Sequence, residues 1–248
     1  NHATEAIKDF NRGVLGDDGG NGWGIGVAAS PYFINGDPAP GHLGFTTQMF
    51  WDYYAYTQDK EILKEVVYPV LYSAAQFITK IVKEDENGYY LVEVCDSPEQ
   101  YVDGVWYYTT GTTYAQTFAY LNNYNLLLAA KDMGIDINDS DVLSEEENAV
   151  LGTVLEQIDK YDPIIVGLSG QIKEFREENY YGEIGEPEHR HISHLCALVQ
   201  GSIFNEAEAA AWLDAARVTM ENRGSNKPYG WEAVMKIYSW ARLRENEE

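Results

Sequence analysis

The stretch HLGFTTQMFWDYYAYT, residues 42–57, spaces Phe45, Met49, Phe50, Tyr53, Tyr54 and Thr57 at steps of three and four. Such steps bring side chains onto one face of an α-helix, whereas a strand would need alternation at every second residue. The next stretch, DKEILKEVVYPVLYSAAQFITKIV (59–82), repeats the pattern through Ile62, Leu63, Val66, Val70, Ala74, Phe77, Ile78 and Ile81, with Asp59 placed to cap it. Pro69 has no amide to bond back along that helix, so the spacing predicts a kink or a split there.

Working outward, the turn ENG and the strand-like YYLVEV lead into the loop DSPEQYVDG, residues 96–104. A long helix is predicted from Thr113 to Met133, stopped by GIDIND. SEEENAVLGTVLEQIDKY opens with a capping box, Ser144 with Glu147. Beyond the glycine loop VGLSGQ, two more amphipathic helices fall near Glu206–Asn222 and Trp231–Leu243. Roughly seven helices without a regular repeat point to an all-α fold. Stacked helical hairpins in a toroidal barrel, with the site on loops at one end, suit them better than a solenoid.

Composition narrows the function. The 45% hydrophobic share is that of a globular chain. Seventeen basic against 40 acidic residues give a net charge of −23, which excludes a phosphate-neutralising stripe. No nucleic acid is expected as a partner, and no membrane surface, since anionic lipid would be repelled too. Neutral or cationic ligands remain. The 19 Tyr and 6 Trp offer flat apolar faces with a polar handle, suited to sugar rings and equally to ordinary cores. Two cysteines, Cys95 and Cys196, make no disulfide framework. No signal peptide, lipidation motif or membrane-length apolar run is visible, so no secretion route is legible.

Four segments can carry chemistry. In CDSPEQY (95–101), Glu99 follows a Ser-Pro step, and Trp106, Tyr107 and Tyr108 are close enough in sequence to wall a carboxyl and keep it protonated. The same local sequence is better explained as a helix start, with Ser97 as N-cap and Pro98 at the first position. EPEHRHISHL gathers His189, His191 and His194, three of the five histidines. They suit hydrogen bonding to sugar hydroxyls, loop architecture, or a metal, although no HExxH pattern accompanies them. In GQIKEFREE, Gln171 and Glu174 follow a flexible loop, while Glu177 and Glu178 fit a solvated helix face. NGWG presents Trp23 as a stacking platform or a loop anchor.

Taken in order, these segments resemble the inverting α-L-fucosidases of glycoside hydrolase family 95. The resemblance rests on FWDYYAYTQDKEILKEVVYPVLYSAAQF, on SPE at Ser97–Glu99 and on GTTYAQ at Gly111–Gln116. It continues through GQIKEF at Gly170–Phe175, HRHISHL at His189–Leu195 and GW…KIYSWARLR at Gly230–Arg244. It implies an (α/α)6 barrel, no cofactor and no metal, and Glu99 as the general acid. It also implies that Gln171, Glu174, His189, His191 and His194 line the pocket for the sugar of an oligosaccharide or glycan substrate, with terminal fucose or α-L-galactose expected; Trp23 and Trp231 are further candidates to contact that sugar. The family's base, an Asp in an IDGNFG-like segment, and its paired asparagines have no counterpart in the chain. Met49 and Tyr53 stand where the family has histidines, Phe175 where it has Trp, and Gln100 where it has Asn or His.

The expectation is therefore a single domain over 1–248 that forms part of the barrel. The rest of a parent polypeptide, or a partner chain, closes it. A non-catalytic carbohydrate-binding domain is the alternative. An extracellular or cell-surface bacterial location is expected from the acidic, Tyr-rich composition.

Overall fold

A computed structural model of the chain describes residues 40–137, 143–162, 164–201, 203, 209–224 and 229–244. The chain divides into two compact units, one of Asn1–Val94 with Phe118–Asp162, the other of Cys95–Thr117 with Pro163–Glu248. Helices dominate, in agreement with the all-α expectation.

The first unit contains α1 (Pro40–Thr57), α2 (Lys60–Ile62), α3 (Tyr68–Ile81), most of α4 (Thr113–Asp132) and α5 (Glu145–Ile158). Asp59 caps α2 by accepting from the amides of Glu61 and Ile62 at 3.0 and 3.1 Å. Between α2 and α3, Leu63–Val67 winds as a π-helix. Pro69 then falls in the first turn of α3, where a missing amide is harmless. The split expected at Pro69 takes the form of a widened turn. Both halves of the Ser144–Glu147 capping box are made. A short ribbon joins β1 (Val82–Glu84) to β2 (Tyr90–Val92), antiparallel, with Lys83 opposite Leu91.

The core of this unit gathers Tyr54, Leu63, Leu71, Leu126, Leu151 and Val154. One expectation fails here. Met49 and Tyr53, on the apolar stripe read for α1, are 58% and 54% exposed. The buried face of α1 instead carries Leu43, Gly44, Thr47, Gln48 and Tyr54. Its polar members are satisfied across the core: Thr47 Oγ1 donates to Asn122 Oδ1 at 2.8 Å, and Asn125 Nδ2 donates to Gln48 Oε1 at 3.0 Å. Gly44 permits this approach, since a Cβ there would stand 2.2 Å from the Phe118 carbonyl oxygen.

The second unit contains a ribbon of β3 (Tyr101–Val102) and β4 (Val105–Trp106), the first turn of α4, a 3-10 turn at Ser193–Leu195 and α6 (Cys196–Val199). It ends with α7 (Ala210–Arg223) and α8 (Gly230–Arg244). Ile172, Leu195, Leu198, Ala216, Met220, Met235 and Leu243 form its core. Cys95 and Cys196 are buried, with thiols pushed up to about 11 and about 12 by burial. They stay protonated near neutral pH and act as small core residues.

Candidate active site

The second unit brings together the segments at 95–100, 111–113, 170–178 and 189–194, with hydrogen bonds from the first of them to each of the other three. Cys95 bridges Thr109 through both backbone bonds at 2.8 Å. Thr112 Oγ1 donates to the Asp96 carbonyl at 2.7 Å, and Thr113 N donates to the Glu174 carbonyl at 3.2 Å. The GTT step thus ties the SPE segment to GQIKEF. No helix follows Ser97: residues 98–99 form a turn that leads into β3. The capping explanation of Glu99 is therefore overturned, because the hydroxyl and the turn are used for a different purpose.

That purpose centres on Glu174, which is 6% exposed. Its carboxylate accepts from Ser97 Oγ at 2.6 Å, from Gln100 Nε2 at 3.1 Å and from Arg223 Nη2 at 2.6 Å. His194 Nδ1 lies 3.5 Å away. Burial works to raise the Glu174 pKa, but the nearby His194 and Arg223, with the hydrogen bond from Ser97, outweigh it and hold the carboxyl well below the usual carboxylate range. Glu174 is a buried anion whose acceptors serve the protein itself. Burial lowers the pKa of His194, opposed by Glu174.

Residues 97 and 100 flank Glu99, so Glu174 fixes both sides of the turn. The HRHISHL segment fixes its middle. Ser193 Oγ donates to the Pro98 carbonyl at 2.6 Å. Arg190 Nη2 donates to the Glu99 carboxylate. His189, 3% exposed, uses Nδ1 to accept from the His191 amide at 3.0 Å. Burial lowers the pKa of both His189 and His191. Within this network the Glu99 side chain, 30% exposed, reaches the surface.

The aromatic walls expected around Glu99 are engaged with other groups. Tyr107 packs edge-on against Phe175 with centroids 5.1 Å apart, and Trp106 packs on Tyr101 at 5.2 Å. Tyr107 donates its hydroxyl to Glu177 at 2.7 Å. Gln171 is fully buried, accepting from Ser169 Oγ at 2.7 Å and holding the glycine loop. Residues 170–178 are loop, not helix, which corrects the solvated-face reading of Glu178. Glu178 is 3% exposed and accepts from the Glu174 amide at 3.0 Å. Burial, reinforced by the Glu174 charge, raises it to about 7. Trp231 lies on α8 and is 59% exposed. Trp23 lies outside the described residues.

Motif reasoning passes over Arg223 and gives Ser97 and Gln100 other roles, a helix cap and a departure from the family. Arg190 stands between two histidines already singled out. Arg223 left no local signal, since a basic residue in the last turn of a helix ordinarily meets solvent and the helix dipole. Here it is 2% exposed and also donates to the Glu186 carbonyl at 3.0 Å.

Residues 10–248 match the model of the glycosyl hydrolase family 95 catalytic domain. The chain is 26% identical over 197 residues to alpha-L-fucosidase 2 of Arabidopsis thaliana, covering 79% of this chain and 22% of the relative. It is 26% identical over 207 residues to a probable alpha-fucosidase A of Aspergillus niger, covering 80% of this chain and 24% of the relative. A probable alpha-fucosidase A of Aspergillus oryzae is 29% identical over 193 residues, covering 72% and 24%. The chain thus spans about a quarter of the length of the curated relatives it matches.

Proposed function

The chain belongs to glycosyl hydrolase family 95, and from that premise we propose that it forms part of an exo-acting glycosidase that removes terminal α-L-fucose, or α-L-galactose, from oligosaccharides with inversion. One observation carries the reading: Glu99 sits at the surface of an otherwise buried polar network and is pinned on both sides by Glu174 through Ser97 and Gln100. A general acid needs that rigidity, because proton transfer depends on a fixed distance to the leaving oxygen. His189, His191 and the exposed Trp231 are the groups proposed to meet the sugar, together with Trp23. Gln171, Glu174 and His194 serve binding through the loops they hold.

Inversion requires a second carboxylate, placed across the sugar with room for a water. In this reading further polypeptide supplies it and completes the (α/α)6 barrel. The support is the 22–24% coverage of the relatives together with the missing counterpart of the family's base. An extracellular placement is supported by the acidic, Tyr-rich composition; the relatives come from a plant and two fungi. No described helix is long and apolar enough to cross a membrane.

The test is hydrolysis of a fucosylated oligosaccharide by the parent polypeptide, with the anomer of released fucose followed by NMR. Glu99→Gln is expected to lower the rate about 10²–10⁴-fold on this poor leaving group, and far less on an aryl fucoside. An unchanged rate on the oligosaccharide would remove Glu99 from the mechanism.

A further inference from the structure

We infer that Arg190 is a positioning residue that holds the Glu99 carboxylate in its resting, ionised form and must leave it before Glu99 can act as an acid. The inference rests on the reading of Glu99 as general acid and adds a step to it. A general acid delivers a proton, so its carboxyl has to be protonated when the glycosidic oxygen arrives. The charged group that reaches Glu99 is instead a guanidinium, whose charge favours the anion.

The surroundings say which partner can move. Ser97 and Gln100 are anchored on Glu174, and the Pro98 carbonyl on Ser193. The backbone of Glu99 is therefore fixed. The Arg190 side chain is 41% exposed, the most open of the charged groups here, whereas His194, Glu174 and Arg223 are buried. His189 gives Arg190 no competing hold. Its Nδ1 accepts from the His191 amide, so the neutral ring carries its proton on Nε2. That nitrogen faces Arg190 Nη1 at 3.2 Å, donor against donor. An entering sugar oxygen could accept from both and draw Arg190 off Glu99. Glu99, stripped of its counter-ion and covered by substrate, would then take up one proton from solvent and hold it for the leaving oxygen. The acid would be armed only when the site is occupied.

Arg190 is the charged group in contact with Glu99; around the turn stand His189, His191 and His194, Glu174 and Glu178, Arg223 from α7, and Glu186 and Glu232, which face His189 and His191. Changing Arg190 alone leaves all of these in place. The experiment is a carbon-13 NMR titration of carboxyl-labelled glutamate in the ligand-free parent polypeptide, with the Glu99 signal assigned by its loss in Glu99→Gln. Wild type, Arg190→Gln and Arg190→Lys are compared. In Arg190→Gln the Glu99 midpoint is expected to rise by about one pH unit, the low end for a carboxylate losing an arginine, because both side chains are partly exposed. Arg190→Lys should stay near wild type, a rescue that a packing role would not produce. In the parent polypeptide the basic limb of kcat/KM on the oligosaccharide should move up with the Arg190→Gln midpoint. An unmoved midpoint in Arg190→Gln overturns the inference and leaves the acid reading intact. A moved midpoint with Glu99→Gln fully active would overturn the acid reading instead.

Discussion

Arg223→Met would take away the guanidinium that stands 2.6 Å from Glu174 while keeping an unbranched side chain in the same buried space. It would leave Glu174 charged, 6% exposed and short of the guanidinium that pairs with it. Breaking one side of a buried pair typically costs about 3–5 kcal/mol, more than the pair is worth when both members are replaced. The variant should therefore lose about that much stability in urea unfolding, and adding Glu174→Gln should restore a large part of it; equal losses in the single and double variants would mean that the charge is not what matters. Acid and base act on the two neighbouring carboxyls in opposite senses. Glu174 has its pKa depressed in the folded state, so its contribution is present above the ordinary glutamate range and lost as pH falls below it. Glu178 is raised to about 7, so the folded state holds a proton that the unfolded chain has released, and stability falls as pH rises from the ordinary glutamate range through about 7. Glu178→Gln keeps the acceptor for the Glu174 amide and should flatten that upper decline in a pH series of unfolding midpoints, leaving the acid loss untouched. The motifs made Glu99, Glu174 and the three histidines legible in the sequence. Arg223 was not, because its partner lies 49 residues away and only folding shows that the end of α7 points inward.

At the scale of elements, the approach of α1 to α4 turns on a single missing Cβ. In Gly44→Ala the new carbon would meet the Phe118 carbonyl at 2.2 Å, a backbone atom that cannot swing aside. Forcing the helices apart should cost about 1–3 kcal/mol, the range for overpacking a well-filled core. Gly152, on α5, has no atom within 4 Å of its would-be Cβ. There the same change should stabilise by up to about 1 kcal/mol, through helix propensity alone. Thermal unfolding of the two variants checks this directly, and a Gly44→Ala midpoint at or above wild type would contradict the close crossing. Helix ends were well marked in the sequence, because Asp59, Ser144 with Glu147, and Pro69 act within a turn of themselves. The buried face of α1 was not. Thr47 and Gln48 look like surface residues until Asn122 and Asn125, more than 70 positions on, supply their partners. Hydrophobic periodicity cannot see a polar core, so it placed Met49 and Tyr53 on the wrong side.

For the whole molecule, the excess of 40 acidic over 17 basic residues acts on every surface at once. This charge was the part of the chain's character fully readable before folding, and it is what removed nucleic acid and anionic lipid from the partners considered. A net charge of −23 also works against the folded state, since compaction brings like charges together. Added salt shortens the reach of that repulsion, from about 10 Å at 0.1 M to about 3 Å at 1 M. Exposed pairs such as Lys83–Glu93, at 68% and 39% exposure, contribute little that salt could take away. The Glu174–Arg223 pair, at 8% and 1%, lies beyond the reach of counter-ions. Raising sodium chloride from about 0.05 to about 0.5 M should therefore raise the melting temperature of the wild type. The penalty of Arg223→Met should stay the same at both salts, because it arises inside the protein. Calorimetry of the two proteins at both ionic strengths separates these terms. A wild-type midpoint that falls with salt would show that local attractions outweigh the net repulsion. A variant penalty that shrinks would show that solvent reaches the Glu174 network.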